Sequence, residues 1–254
     1  FELRALSYQP WLISAIWPKT QRLATPLARY QITSTDMLAN LAVQPGNNLA
    51  LDKMDFTSAD LQILPEGSRQ PARATKLTLN AMRLPDRPSD YQIRLTADGF
   101  APALEWRSRI DPGGSLPETL DALRADMTIR FDALWDLDAI ETARPQPNRL
   151  DLHLAEARWG RLELLLAGTL DIDISGRPTG TLTIKARNWR EILRLSVDSG
   201  ALPARLSGPI EDGLSLVAQL AGNPQTLDIP LSLRRDRVFL GPVPIGPAPI
   251  LRLR

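Results

Sequence analysis

From residue 150 onward the chain alternates between apolar and polar positions. Leu150, Leu152 and Leu154 are separated by polar residues, and Leu162, Leu164 and Leu166 keep the same spacing, with Glu163 and Leu165 between them. The pattern continues through Leu170, Ile172 and Ile174, then Leu182, Ile184 and Ala186. Successive strand side chains point to opposite faces, so each run carries one apolar and one polar face. Gly160 and the 175–180 segment, rich in Gly and Pro, supply the reversals. The spacing predicts an antiparallel meander in which Leu152, Leu164, Ile172 and Ile184 are less exposed than Asp151, Glu163, Asp173 and Lys185.

The same rhythm runs through most of the chain. Residues 1–8 read as a strand fragment closed by a turn at Gln9-Pro10. Trp11, Ile13, Ala15 and Trp17 interleave with Leu12, Ser14 and Ile16, a strand apolar on both faces and therefore expected to be central or covered on each side. A short leg over Gln21 to Thr25, ended by Pro26, leads to strands at Tyr30 and Ile32 and at Met37 to Val43. In 51–64 the apolar phase shifts between Phe56 and Leu61, predicting a bulge near Thr57 to Ala59. A like shift separates Ala81 from Met82 and Leu84. Tyr91 to Ala97 and Met127 to Phe131 alternate cleanly.

Helical spacing replaces this rhythm in a few places. Residues 101–110 are compatible with one or two turns. Ser115, with Glu118 three residues on, predicts an N-capped helix over Leu116, Leu120 and Leu123. Asn188 with Glu191 predicts a second, with Trp189, Ile192, Leu193 and Val197 as its stripe and Gly200 as its stop. Pro209 opens a third, with Ile210, Leu214, Val217, Ala218 and Ala221 inward, ended at 222–224. A strand over 227–233, a charged turn at 234–237 and a partner at 238–240 follow. The tail 241–249 carries four prolines. It is expected to be extended, without a regular ladder, along an edge or across a groove.

Composition narrows function more than it defines it. The chain has 254 residues, no cysteine and a formal charge of +1. That length allows a substantial buried core without covalent staples. Disulfides, thiolate metal sites and cysteine nucleophiles are excluded together. Near-neutral charge gives no pull toward nucleic acid, and no run approaches the ~20 apolar residues of a spanning helix. The sequence opens on Phe1 in apparent mid-strand, as expected where a signal or anchor precedes it. The proline-bearing 143–149 segment is a possible subdivision, but strands of one style flank it. A single β-rich domain over 1–254, lacking its N-terminal part, is therefore expected.

Candidate chemistry is sparse. His153, the only histidine, falls on the polar side of its strand without a nucleophile signature or metal partners. Asp171 with Asp173 has the spacing of paired catalytic carboxylates, and so has Asp136 with Asp138. Both pairs read better as the solvent face of strands, leaving a carboxylate hydrolase as the remaining catalytic alternative. Arg234, Arg235 and Arg237 read as a solvated hairpin tip rather than a headgroup grip. No catalytic residue, metal site or cofactor is assigned.

Several stretches together are distinctive: Ala5-Leu-Ser-Tyr-Gln-Pro with Ala15-Ile-Trp-Pro, and Asp111-Pro-Gly-Gly-Ser-Leu-Pro-Glu. To these are added Gly176-Arg-Pro-Thr-Gly-Thr-Leu-Thr-Ile, Ala186-Arg-Asn-Trp-Arg, and the run from Arg237 to Pro249. Along most of its length the chain resembles the bacterial domain-of-unknown-function family number 2125. The resemblance implies an exported protein of the Gram-negative envelope, periplasmic or anchored facing the periplasm, with membrane attachment only through a preceding N-terminal segment. It implies no activity and no site residues.

The fold expected is mainly β (α+β): a long curved antiparallel sheet with a C-terminal helix pair packed on one side. Two functions fit it. One is a carrier holding a lipid or another apolar molecule against the apolar face, with Trp11, Trp17, Leu152, Leu164, Ile172, Ile184 and Trp189 as candidate contacts. The other is a structural or interaction module with an envelope protein partner and no small ligand.

Overall fold

The computed structural model describes residues 2–6, 9–25, 28–46, 48–200, 202–220, 225–241 and 243–253. Its first strands are β1 (Glu2–Leu6), β2 (Gln9–Ile16), β3 (Thr20–Ala24), β4 (Arg29–Thr33) and β5 (Asp36–Val43). Long strands follow: β6 (Leu51–Pro65), β7 (Ala72–Leu84), β8 (Arg87–Asp98), β9 (Ala122–Phe131), β10 (Pro147–Trp159), β11 (Leu162–Ile172) and β12 (Pro178–Arg187). The last are β13 (Thr226–Arg234), β14 (Arg237–Leu240) and β15 (Val243–Pro247). Helices α1 (Leu104–Ile110), α2 (Leu137–Glu141), α3 (Trp189–Asp198) and α4 (Ser207–Leu220) interrupt them.

All fifteen strands join one antiparallel sheet, in the order β1, β2, then β5 through β15. The β3–β4 hairpin docks through β4 onto the far end of β6. That exchange explains the phase shift in β6. Its residues 51–59 pair with β5 and 62–65 with β4. Asp60 between them has φ 48°, so the irregularity sits one residue beyond the expected bulge. Thr35 donates its amide to the Ala59 carbonyl at 3.1 Å and its hydroxyl to the Asp60 carboxylate at 3.0 Å, which holds the corner.

Register aligns the apolar positions across strand after strand. One row of successive partners reads Ala15, Ala39, Phe56, Leu79, Leu95, Ala125, Ala155, Leu166, Ile184 and Ile229. The opposite face is a polar ladder. Ser14 bonds Asn40, Asn80 bonds Asp55, Arg94 pairs with Asp126, Arg124 with Glu156 and Arg187 with Glu163. Strand twist curves the sheet, and the buried clusters all lie along its apolar side. Trp17 meets Phe56 edge-on at 6.0 Å in a cluster around Met37, Leu61 and Ala74. Tyr91 and Phe131 form the next, with Trp135. Beyond them α3 and α4 cover β11 to β13 through Trp189 and Ala218 on Ala186 and Leu227.

The 150–186 meander forms as the spacing predicts, but exposure follows it only in part. Ile172 is buried and Ile184 half-buried, against exposed Asp173 and Lys185. Leu152 and Leu164 fall in the same half-buried range as Asp151 and Glu163. Those acids lie flat across the outer face, Asp151 on Arg149 and Thr169, Glu163 on Arg187. Leu154 is 37% exposed because a bulge after Leu152 advances β10 by one residue. Ile174 lies beyond the end of β11, in the turn, and is 94% exposed.

Other differences have equally local causes. The helix expected from Ser115 does not form. The Ser115 hydroxyl instead donates to Asp111 at 3.0 Å, and the Leu120 amide reaches the Phe100 carbonyl. Met82 keeps the regular register with Gln92 and Lys53, and the β7 irregularity falls at Leu84. Strand β2 is second from the edge rather than central, so Trp11 stays 38% exposed. Asn188 precedes α3 with φ 56° and bonds the Arg161 carbonyl instead of capping. Helix α4 starts at Ser207, before Pro209. Val217 and Ala221 fall outside the described side chains, as does Pro26. The proline tail does form a ladder, β15 on β14, shifted between Val238 and Phe239.

Candidate functional site: an apolar face with two clefts

A second register row on the inner face reads Ile13, Leu41, Met54, Ala81, Ile93, Met127, Leu152, Gly168, Leu182, Leu231 and Leu240. No polar residue breaks either row. In the middle of the sheet Leu79, Leu95, Ala125, Ala155 and Leu166 are only half-buried. At the helical end the face deepens into two clefts.

The larger, of about 750 Å³, lies between α1, the 111–121 segment and α3. Phe100, Trp106, Leu120, Leu123, Ala157 and Trp159 line it. Trp106 and Trp159 stack with ring centres 6.4 Å apart and planes 9° from parallel. Trp159 donates its indole N–H to the Pro117 carbonyl at 2.7 Å, so the cleft's aromatic wall is tied to the loop that covers it. Asp111 holds that loop: its carboxylate accepts the Leu116 amide at 2.7 Å and the Ser115 hydroxyl. Burial pushes the Asp111 pKa up, but the Leu116 and Ser115 donors outweigh it and hold the carboxyl below its ordinary value.

The smaller cleft, of about 440 Å³, lies between the helix pair and β11 to β15. Ile184, Trp189, Leu214, Leu227, Leu231 and Leu240 line it. Leu164, Ile192 and Ser196 border both clefts, so the two lie as lobes on either side of α3 and share it as a wall. Among the described residues no charged side chain lines either lobe. Both volumes fall within the ~300–1,000 Å³ of small-molecule sites.

Of the residues singled out from the sequence, Leu164, Ile184 and Trp189 meet at the smaller cleft. Leu152 lies on the same face beside Leu170 and Leu182. Ile172 is buried farther along β11. Trp11 and Trp17 stand at the other end of the sheet and are not brought to the clefts. Trp106, Trp159, Leu123 and Ala157 are not among the contacts expected from the sequence. Read without the bulge, Trp159 falls on the polar face; the shift after Leu152 turns Ala155, Ala157 and Trp159 inward. The signal was the loss of alternation at His153-Leu154-Ala155.

The candidate catalytic groups are spoken for. Asp171 pairs with Arg149 at 3.0 Å, while Asp173 accepts the Ser175 and Arg177 amides and closes the turn. Asp136 caps α2 rather than standing on a strand. His153 is exposed on the outer face, its Nε2 2.9 Å from the Thr128 hydroxyl. Among the described residues no group of three His, Cys, Asp or Glu could hold a metal ion. Arg235 and Asp236 form the β13–β14 turn, with Asp236 paired to Arg177 at 2.7 Å and Arg234 over the Phe239 ring. Among the described residues no helix is long and apolar enough to cross a membrane.

A family model described as an uncharacterized protein conserved in bacteria (DUF2125) matches residues 1–249. No curated protein and no solved structure matches the chain.

Proposed function

Because the chain belongs to the bacterial DUF2125 family, described only as uncharacterised, its own geometry has to carry the assignment, and we propose that it is a lipid carrier of the cell envelope. In this reading an apolar or amphiphilic molecule lies along the inner face of the sheet, in the periplasm or facing it. One observation carries the reading: apolar rows unbroken from β2 to β13 that stay half-open in mid-sheet and end in two uncharged clefts. A sheet that served only its own core would close that face, since burying apolar area at roughly 25 cal/mol per Å² is the main drive of folding. The reading requires no catalysis and no cofactor.

Gentle purification from bacterial membranes followed by native mass spectrometry tests it. A bound lipid mass is expected, and Leu123→Trp, which fills the larger cleft, is expected to remove or weaken it while circular dichroism stays unchanged. Protein that carries no lipid from its own membranes and takes up none from vesicles would overturn the reading.

A second reading, an interaction module for an envelope protein, is favoured by the other end of the sheet. There Leu3 is 60% and Trp11 38% exposed, on the apolar side of β1 and β2. A protein partner seated on those residues would be lost with Leu3→Glu, and lipid content would not change.

A further inference from the structure

We propose that the ligand is an amphiphile with two apolar chains, held astride α3 with one chain in each lobe; this rests on the carrier reading and names its substrate class. The inference comes from how the apolar space is divided. Leu164 of β11 forms the floor under α3 and borders both lobes, as do Ile192 and Ser196 on the helix itself. The lobes are therefore neighbours on the two sides of one helix, close enough for one molecule to reach both. One lobe runs from α3 toward Trp106 and Trp159, the other toward Leu231 and Leu240. A single unbranched chain can follow one lobe only, and a rigid fused-ring molecule cannot turn around the helix. Two chains joined at one end match the shape.

The polar lining agrees with this placement. The hydroxyl-bearing residues among those lining the lobes are Ser196 and Ser199, both at α3, and Ser196 borders both lobes. The Ser196 hydroxyl donates to the Ile192 carbonyl at 2.8 Å, which leaves its oxygen free to accept. The polar joint of a two-chain amphiphile would meet these hydroxyls where its chains diverge, while the charge-free walls beyond suit alkyl chains and reject a head group. Trp189 anchors α3 between the lobes, packed on Ala218 and Leu227.

Each lobe carries its own tryptophan reporter: Trp106 and Trp159 in one, Trp189 in the other. The test titrates the purified protein with phosphatidylcholine brominated on both chains, and separately with a brominated single-chain lysophosphatidylcholine. Quenching is followed in the native protein, in Trp189→Phe and in Trp106→Phe/Trp159→Phe; Trp11, Trp17 and Trp135 emit in all three, so each lobe is read as the difference from the native signal. The two-chain probe is expected to quench both lobes along one curve that saturates at one lipid per protein. The single-chain probe is expected to need two per protein. Ile192→Phe, which lines both lobes at α3, is expected to weaken the two-chain probe at least tenfold more than the single-chain probe, with unchanged circular dichroism. A two-chain probe that quenches one lobe only, or equal loss of both probes in Ile192→Phe, would overturn the two-chain assignment and leave the carrier reading standing. Quenching by neither probe would overturn both.

Discussion

Ser58 is a hydroxyl placed among hydrocarbons. It sits on the inner face opposite Met37 and Leu77, is 1% exposed, and its oxygen has no hydrogen-bond partner among the described residues. An unpaired buried hydroxyl costs about 1–3 kcal/mol. Ser58→Ala is therefore expected to raise stability by about 1 kcal/mol in chemical denaturation. Asp111 is the opposite case, a buried carboxylate fully engaged by the Leu116 and Ser115 donors. Its folded pKa is lowered, so its contribution is complete above the unfolded value of about 4 and is lost as pH falls through the folded value. Denaturation midpoints measured from pH 6 down to pH 2 should fall, and Asp111→Asn should lower the midpoint at pH 6 and flatten that fall. His153 has an exposed ring and one hydroxyl neighbour. His153→Ala should change stability by no more than the ~0.5 kcal/mol of surface substitutions, and lipid content not at all.

At the scale of elements, the pairing of β11 with β12 depends on two backbone positions that have no side chain. Gly168 in β11 has φ +144°, and a Cβ there would come within 2.3 Å of the Thr181 carbonyl oxygen. Gly180 in β12 repeats the situation against the Thr169 carbonyl, with φ +148°. Two neighbouring strands thus approach where only glycine fits, next to the β10 bulge that turns Trp159 inward. The clashing atoms are backbone, so neither strand can yield without breaking its ladder. Gly168→Ala is expected to cost at least about 2 kcal/mol in urea denaturation and to loosen Trp159, seen as a red-shifted tryptophan emission. Helix α3 ends at Gly200, whose φ of +73° suits the left-handed stop.

At the scale of the molecule, the tail closes what the sheet leaves open. After β15 the chain turns back across the sheet's end. The Ala248 amide bonds the Asp236 carbonyl, the Leu251 amide the Gly176 carbonyl at 2.7 Å, and Leu253 exchanges two bonds with the Gln146 side chain. Ala248 and Leu251 thereby pack on Leu170, Leu182 and Leu233. Leu251→Ala is expected to cost about 1–2 kcal/mol, below the ~2–5 kcal/mol of fully buried leucines because Leu251 is half-buried. The measured loss should come without change in lipid content, because Leu251 borders neither lobe. The prolines of β15 suit this edge, where ladder donors are not needed on the outer side.

Alternation by itself determined the sheet. A period of two leaves no freedom about which face Leu164, Ile172, Ile184 and Leu231 share, and Gly160 and the 175–180 segment set where the strands reverse. It also determined the helix pair, because a stripe at helical spacing has to find an apolar surface. Tertiary structure decided the rest. Which strand is central is a matter of pairing order, so the two-faced β2 lies next to the edge and Trp11 and Trp17 never reach the clefts. One extra residue in β10 exposes Leu154 and brings Ala157 and Trp159 into the larger lobe. The Ser115 helix fails because backbone donors at its start and end go elsewhere, the Leu116 amide to the Asp111 carboxylate and the Leu120 amide to the Phe100 carbonyl. The division of the apolar space by α3 depends on residues far apart in sequence, Leu123 and Leu164 on the sheet and Ile192 on the helix. No local period can encode it, since it arises only when the register of every strand has been summed.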